Sequence, residues 1–237
     1  MVIIIQKHET ASFDKEIIKL TGKTNPNFLF IGLANKYPDY YFEVMDGIYN
    51  GMYGCKTDYL RYEEIKDKEI TNKKIKNTDI IYVGGGNTYK LMRLLKFYGV
   101  DEMLVNAYND GKVLCGVSAG AICWCDYGNS DSRVISSNSS QMIRVAGLGF
   151  INVLFAPHIV KEANRKESVK QMMKRTYKIP AIQLDNAALE TVDNRFRILT
   201  IDDSSIAEKR YWKNGKYVTE NIISDEFKCI NALYERD

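Results

Sequence analysis

The first half of the chain alternates between short apolar runs and amphipathic stretches. The apolar runs have the length and the β-branched and aromatic content of strands that are buried on both faces. Such strands are predicted at residues 2–5, 28–33 and 79–83, and a further short strand is predicted at residues 58–61. Between them, helices are predicted at residues 13–20, with Ser12 as the N-cap, and at residues 41–52. This alternation is typical of α/β folds that are built on a parallel sheet.

A glycine-rich segment follows the fourth predicted strand. It reads Gly-Gly-Gly-Asn-Thr over residues 84–88, and apolar side chains then recur at positions 91, 94, 95 and 98. That spacing predicts a helix, which Gly99 ends. A further helix reaches about residue 109 and leads into an apolar strand at residues 113–115.

The second half begins with residues 126–140, which are polar and are interpreted as irregular. A strand at residues 153–156 ends at Pro157-His158, and a charged helix is predicted over residues 161–177. The remainder is interpreted as strands 181–184, 187–192 and 196–201, followed by a hairpin that turns at Asn214-Gly215. The whole pattern predicts a single domain over residues 1–237, with a mostly parallel sheet flanked by helices and with antiparallel hairpins near the C-terminus.

Composition excludes several classes of protein. Apolar residues make up 45% and charged residues 27% of the 237 positions, which is typical of a globular domain. The 33 basic and 30 acidic residues nearly balance, so no nucleic-acid partner is expected, and the basic runs at residues 73–76 and 170–175 are interpreted as solvated faces. No run is long enough to span a membrane and no signal peptide is visible, so we expect a cytoplasmic protein without a membrane partner.

The few potential metal ligands make a metal site hard to build. The chain has only two histidines, and its five cysteines show no C-x-x-C pair, so they are interpreted as reduced and mostly buried. We therefore expect no metal and no cofactor.

A G-x-S-x-G pentapeptide follows the strand at residues 113–115. It comprises Gly116, Val117, Ser118, Ala119 and Gly120. A serine on such a strand-to-helix turn is lifted clear of the sheet, and the helix that follows directs free backbone N–H groups to the same place. The pattern predicts Ser118 as a nucleophile, with an ordinary Gly/Ser turn as the alternative.

A serine hydroxyl needs a neighbouring base, which must itself be oriented. His8 is interpreted as a solvated surface residue, whereas His158 lies at the carboxyl end of a predicted strand and is the predicted base. An acid is expected between Ser118 and His158 or soon after, where Asp131, Asp126 and Asp185 are candidates. Asp131 is the preferred one because its loop could fold back over the serine.

Attack on a carbonyl builds negative charge on oxygen, and backbone N–H donors must be in position to bind it. Ala119, the residue after the nucleophile, supplies one predicted donor. The loop of residues 84–86 supplies the other, because residues without a Cβ can present an N–H at close range. A phosphate-binding loop is the alternative, but neither Gly-Lys-Ser/Thr nor a G-x-G-x-x-G spacing is present.

Together these motifs resemble the peptidase E family of serine peptidases, which includes the cyanophycinases. The resemblance lies in residues 83–89, in residues 116–121 and in Ala156-Pro157-His158, which occur in the family's order. It implies a class I glutamine-amidotransferase-like, flavodoxin-like fold with serine in place of cysteine.

The resemblance also implies roles for individual residues. Ser118 would be the nucleophile, His158 the base, Gly86 and Ala119 the oxyanion donors, and Asp131 the nearest match to the acid. Peptidase E removes N-terminal aspartate from small peptides with the help of basic residues past the histidine. Arg165 matches such a residue, with a solvated helix charge as the alternative.

The sequence therefore predicts a serine peptidase that acts on small peptides, with Asp-X dipeptides as candidate substrates, as a monomer or homodimer. Two alternatives stay open. One is a binding or sensor protein that keeps the fold without turnover, and the other is an esterase or amidase that acts on a non-peptide.

Overall fold

The computed structural model describes residues 2–5, 11–137, 139–160, 164–176 and 178–236. Its strands are β1 (Val2–Ile5), β2 (Asn27–Ile31), β3 (Lys56–Tyr59), β4 (Ile80–Val83), β5 (Val113–Val117), β6 (Cys125–Ser130), β7 (Ile143–Ala146), β8 (Ile151–Ala156), β9 (Ala181–Asp185), β10 (Ala187–Val192), β11 (Arg195–Thr200), β12 (Ile206–Lys213), β13 (Lys216–Asn221) and β14 (Lys228–Cys229). Its α-helices are α1 (Ala11–Lys19), α2 (Pro38–Asp46), α3 (Lys68–Lys76), α4 (Thr88–Phe97), α5 (Val100–Asn109), α6 (Ala119–Ile122), α7 (Ser132–Ser137), α8 (Arg165–Met173) and α9 (Ile230–Tyr234).

A mostly parallel sheet forms the centre of the molecule. Its strand order is β14-β11-β10-β1-β5-β4-β2-β3, and the five strands from β1 to β3 in this order run parallel. Strands β10, β11 and β14 extend it in antiparallel fashion. The predicted fold class, a mostly parallel sheet flanked by helices with antiparallel strands toward the C-terminus, is confirmed.

A second sheet has the order β13-β12-β9-β8-β6-β7. Strands β6, β8 and β9 are parallel at its centre, and antiparallel strands extend it on both sides. The sequence pattern did not indicate this division into two sheets, because the apolar runs of β5 and β8 look alike along the chain. Within the described residues, no helix has the length and apolar content needed to cross a bilayer.

Burial explains why these elements pack as layers. Helix α1 packs on one face of the first sheet. Its Phe13 and Ile17 share a core there with Phe28 of β2 and Tyr82 of β4. On the other face, a continuous core joins that sheet to helices α3–α5 and to one face of the second sheet. Helix α8 covers the opposite face of the second sheet through Val169. The two sheets therefore share one core, which fixes them relative to each other.

The prediction that residues 126–140 are irregular is wrong. They contain most of strand β6 and all of helix α7. Strand β6 escaped recognition because its last residues, Asn129 and Ser130, are polar yet fully buried, and each has hydrogen-bond partners inside the protein.

Helix boundaries also differ from the prediction. Helix α1 begins at Ala11, so Ser12 lies inside the helix and is not its N-cap. The predicted helix 41–52 is α2 followed by a π-helical turn over Gly47–Met52. The charged helix is α8, while residues 161–163 and 177 lie outside the described residues, as does His8.

The predicted hairpin turn is confirmed. Asn214 and Gly215 connect β12 to β13, and their φ angles are 49° and 76°. Two consecutive positive φ values are the signature of the type I′ turn that Asn-Gly favours.

Candidate active site

Ser118 occupies the sharp turn between β5 and α6. Its backbone has φ 53° and ψ −109°, a conformation that is strained for a residue with a side chain. Strand β5 is buried along its whole length, so the turn holds the half-buried serine at the carboxyl edge of the first sheet. This is the geometry of a nucleophile elbow.

Close packing explains the two glycines of the pentapeptide. A β-carbon on Gly116 would lie 2.6 Å from the carbonyl oxygen of Gly120 and 2.8 Å from that of Val83. A β-carbon on Gly120 would overlap the same Val83 carbonyl. The elbow can therefore press against the end of β4 only if both positions lack side chains.

His158 approaches Ser118 from the second sheet. It follows β8 and Pro157, has φ 58°, and places its Nε2 3.0 Å from the Oγ of Ser118. Forty positions separate the two residues, and the packing of one sheet on the other brings their side chains within hydrogen-bonding distance. In this orientation Nε2 can accept the serine proton, which a nucleophile–base pair requires.

The glycine loop lies directly beside Ser118. A β-carbon on Gly85 would be 3.4 Å from the Cβ of Ser118. Gly86 has φ 136°, and a β-carbon there would overlap the carbonyl of Ala34. The Asn87 N–H donates to that same carbonyl at 2.9 Å, which pins the loop. The loop that carries Gly86 therefore lies close to Ser118 and to Ala119, the first residue of α6.

Asp131 lies at the end of β6, beside the strand that leads to His158. Strands β6 and β8 run parallel with Gly128 opposite Phe155. Extending that register by three residues brings Asp131 level with His158, beyond the carboxyl ends of both strands. Asp131 is half-buried, and its carbonyl accepts the Ile135 N–H of α7 at 3.0 Å.

The two alternative acids lie in different places. Asp185 ends β9 and is buried, and its Oδ2 accepts the backbone N–H of Val160 at 3.1 Å, so it braces the segment just after His158. Asp126 lies near the other end of β6, roughly 13 Å from its carboxyl end at the usual rise of a strand. Burial raises the pKa of the Asp126 carboxyl above its ordinary value.

Arg165 is not a solvated charge, so that interpretation is wrong. Its side chain is 1% exposed, and Nη1 donates to the backbone carbonyl of Asn129 and, at 3.1 Å, to its Oδ1. The guanidinium therefore lies under α8 and reaches the end of β6, two residues before Asp131. A buried cation held near the candidate site is a candidate for recognising an anionic group.

Sequence reasoning missed a hydroxyl network that joins the parts of the site. The Ser130 hydroxyl donates to the Thr88 hydroxyl at 3.0 Å and lies 2.7 Å from that of Ser132. The Ser132 hydroxyl in turn accepts the Tyr89 N–H at 3.0 Å. The network ties the loop after β6 to the first turn of α4, and the only signal for it was the density of Ser and Thr near the two motifs.

A second missed feature is Gln183 on β9. It is fully buried and in register with Ala156, two residues before His158. Within the described part of the chain, neither its Nε2 nor its Oε1 has a hydrogen-bond partner. Its apolar neighbours in the sequence, Ile182 and Leu184, gave no reason to single it out.

Comparison with known proteins shows which family the chain resembles. The family model described as Peptidase family S51 matches residues 4–199. An uncharacterized peptidase of Bacillus subtilis (strain 168), YgaJ, is 27% identical over 180 residues, which are 76% of this chain and 75% of that protein.

Two solved structures share the fold. A peptidase from an acI-B1 Actinobacterium aligns over 96% of both chains with a TM-score of 0.71 and 17% identity. A putative peptidase E protein from Listeria monocytogenes EGD-e aligns over 93% of this chain and 97% of its own, with a TM-score of 0.56 and 19% identity.

Proposed function

The chain belongs to peptidase family S51, and from that premise we propose that it is a serine peptidase that hydrolyses small peptides. The observation that carries the proposal is the 3.0 Å separation between the Oγ of Ser118 and the Nε2 of His158. The strained turn under Ser118 supports it, since strain of this kind persists where function requires it.

In the first half of the reaction, the Ser118 Oγ attacks the peptide carbonyl while His158 takes the hydroxyl proton. Backbone N–H groups of Gly86 and Ala119 stabilise the oxyanion that forms. The tetrahedral intermediate collapses when His158 gives its proton to the leaving amine, which departs and leaves an acyl-serine.

In the second half, His158 takes a proton from a water molecule, which attacks the acyl-serine carbonyl. Collapse of the second tetrahedral intermediate returns a proton to the Ser118 Oγ and releases the carboxylic acid. The same pair of side chains therefore serves both halves, and the reaction needs no nucleophilic side chain other than Ser118.

Asp131 is the proposed acid that orients His158, because it follows the neighbouring parallel strand at the same level. An oriented carboxylate fixes the imidazole tautomer and stabilises the imidazolium that forms during attack. Asp185 acts on the same segment in a different way, by holding the Val160 N–H.

Arg165 supports a preference for an acidic first residue. Its guanidinium is buried beside the end of β6 and donates to Asn129. A shift of this side chain toward the site would present a charged donor to a substrate carboxylate, as aspartyl dipeptide recognition requires. We therefore propose Asp-X dipeptides as the first substrates to assay.

The substitution Ser118→Ala should abolish both fluorophosphonate labelling and dipeptide cleavage, because it removes the nucleophilic oxygen. The measurement is a labelling gel together with the hydrolysis rates of Asp-X dipeptides and of dipeptides with neutral or basic first residues. Ser12→Ala, an exposed position on α1, is the matched control and should keep both activities.

The same assay separates the alternatives. A wild-type protein that neither labels nor cleaves any peptide would contradict the proposal and favour a binding or sensor role. Hydrolysis of p-nitrophenyl esters without any peptide cleavage would favour an esterase.

A further inference from the structure

A cavity of about 750 Å³ lies between α8 and the segment that runs from α7 into β7. Four cationic side chains line it, namely Arg133, Arg144, Lys174 and Arg175. Among the described residues, no aspartate or glutamate contributes to its lining. We call this cavity the basic groove.

The four cations of the basic groove have no acidic partner among the described residues, although the chain as a whole is nearly neutral. Some cations elsewhere have acidic partners, as Lys74 has Glu64 at 2.9 Å. Within the described part of the chain, no groove cation forms an ion pair. Arg133 instead donates to Gln141, and Arg144 lies 4.7 Å from the centre of the Tyr127 ring. Four cationic side chains that face one concavity create a positive potential that attracts anions.

The uncharged lining favours a peptide over a nucleic acid. Three carboxamide side chains, Gln141, Asn164 and Gln171, line the groove, and each can donate to and accept from a peptide backbone. Met142 and Met172 add apolar surface. The described lining contains no aromatic ring on which a base could stack, as single-stranded nucleic acids require.

The groove shares elements with the segment that carries Asp131. Arg133 follows Asp131 by two residues on α7. Ser168, which lines the groove, accepts the Asn129 Nδ2–H at 2.8 Å, and Asn129 precedes Asp131 by two residues. A ligand in the groove therefore lies alongside the elements that carry the proposed acid and Arg165.

We propose that the basic groove binds an acidic peptide segment, whose carboxylates pair with the arginines while the carboxamides bind its backbone. The inference rests on the proposed function in one respect, since it identifies the substrate class as short peptides that carry further acidic residues outside the scissile bond. The volume suits a segment of a few residues.

Binding is tested in the Ser118→Ala protein, so that no probe is cleaved. The probe is a fluorescein-labelled hexapeptide of alternating Asp and Gly, and the measurement is fluorescence anisotropy at about 50 mM and about 300 mM salt. Arg144→Gln/Arg175→Gln should raise the Kd about tenfold, because two exposed charge pairs are lost, and added salt should weaken wild-type binding.

The control variant is Lys213→Gln/Lys216→Gln, which removes the same charge from the exposed β12–β13 hairpin and should change the Kd less than twofold. A second groove variant, Arg133→Gln/Lys174→Gln, repeats the test if the first does not fold by circular dichroism. An unchanged Kd in the folded groove variants would overturn the proposal. Equal binding of the Asn-for-Asp hexapeptide, or tighter binding of a single-stranded oligonucleotide of equal charge, would also overturn it.

Failure of the groove proposal can be told apart from failure of the peptidase proposal. If the wild-type protein cleaves no peptide but the acidic hexapeptide binds through the groove cations, the peptidase proposal fails and the groove stands. If dipeptides are cleaved but the hexapeptide does not bind, the groove proposal alone fails.

Discussion

At the scale of single residues, backbone strain is concentrated where the chemistry is proposed. Five described residues other than glycine have positive φ, and three of them are Asn or Asp, which tolerate this region. The other two are Ser118 and His158. Serine is the least suited of these residue types to such a conformation, and Ser118 is held there by Gly116 and Gly120 packed against β4.

A pair of substitutions distinguishes Asp131 from Asp185 as the acid that orients His158. Asp131→Asn should lower kcat by on the order of 10³–10⁴ if Asp131 orients the imidazole, because the wrong tautomer then predominates. Asp185→Asn should lower kcat less, since an amide oxygen can still accept the Val160 N–H. The measurement is kcat and KM on the best dipeptide, with thermal unfolding of each variant as the check on folding. A larger loss for Asp185→Asn would reverse the two roles.

At the scale of elements, the strands that carry apolar runs were predicted and the polar strand was not. Strand β5 is apolar apart from Gly116, whereas β6 ends in Asn129 and Ser130. The polar side chains of β6 are stable in the interior only because Ser168, Thr88 and Arg165 supply their partners. Those partners come from distant segments, so no local sequence pattern predicts them.

The start of β4 shows how a single carboxylate joins two strands. Asp79 Oδ2 accepts the Asn27 N–H at 2.9 Å, and Oδ1 accepts from the Lys23 ammonium at 2.7 Å. Burial by itself would raise the pKa of Asp79, but the bonds from Lys23 and Asn27 outweigh it and hold the pKa below its ordinary value of 3.8.

Asp79→Asn should therefore lower the free energy of unfolding by about 1–2 kcal/mol at pH 7, since charge-assisted hydrogen bonds are lost. Because the folded-state pKa is depressed, this stabilisation is present above the unfolded value and is lost as the pH falls through the folded one. Urea unfolding of the wild type and of the variant, at pH 7 and at pH 3, measures the difference in their free energies of unfolding at each pH. The difference in free energy of unfolding between wild type and Asp79→Asn should be smaller at pH 3 than at pH 7. The control is Asp225→Asn, at an exposed position, whose free energy of unfolding should stay close to that of the wild type at both pH values.

At the scale of the whole molecule, two sheets assemble one site. Ser118 follows a strand of the first sheet and His158 follows a strand of the second. Their 3.0 Å separation therefore depends on the shared core, which contains Leu114 from the first sheet and Phe155 from the second. Any change that slides one sheet on the other therefore moves His158 away from Ser118.

The pH profile of peptide cleavage tests the assembled pair. An ordinary imidazole has a pKa of about 6.5, and its protonated form cannot take the serine proton, so activity should fall about tenfold per pH unit below about pH 6. The measurement is kcat/KM from pH 5 to 8 on one dipeptide, with circular dichroism across the same range to show that the protein stays folded. A flat profile would exclude His158 as the base.

The sequence by itself determined the features that neighbouring residues encode. Apolar periodicity predicted the alternation of strands and helices, the G-x-S-x-G motif predicted a sharp turn at Ser118, and Asn214-Gly215 predicted a hairpin. Each depends on the conformational preferences of a few consecutive residues, which act before any tertiary contact forms. Only the tertiary structure decided that the strands divide into two sheets, that Arg165 is buried, and that His158 meets Ser118. Those outcomes depend on packing between segments that are remote in the chain. The free energy of that packing cannot be inferred from a local sequence pattern.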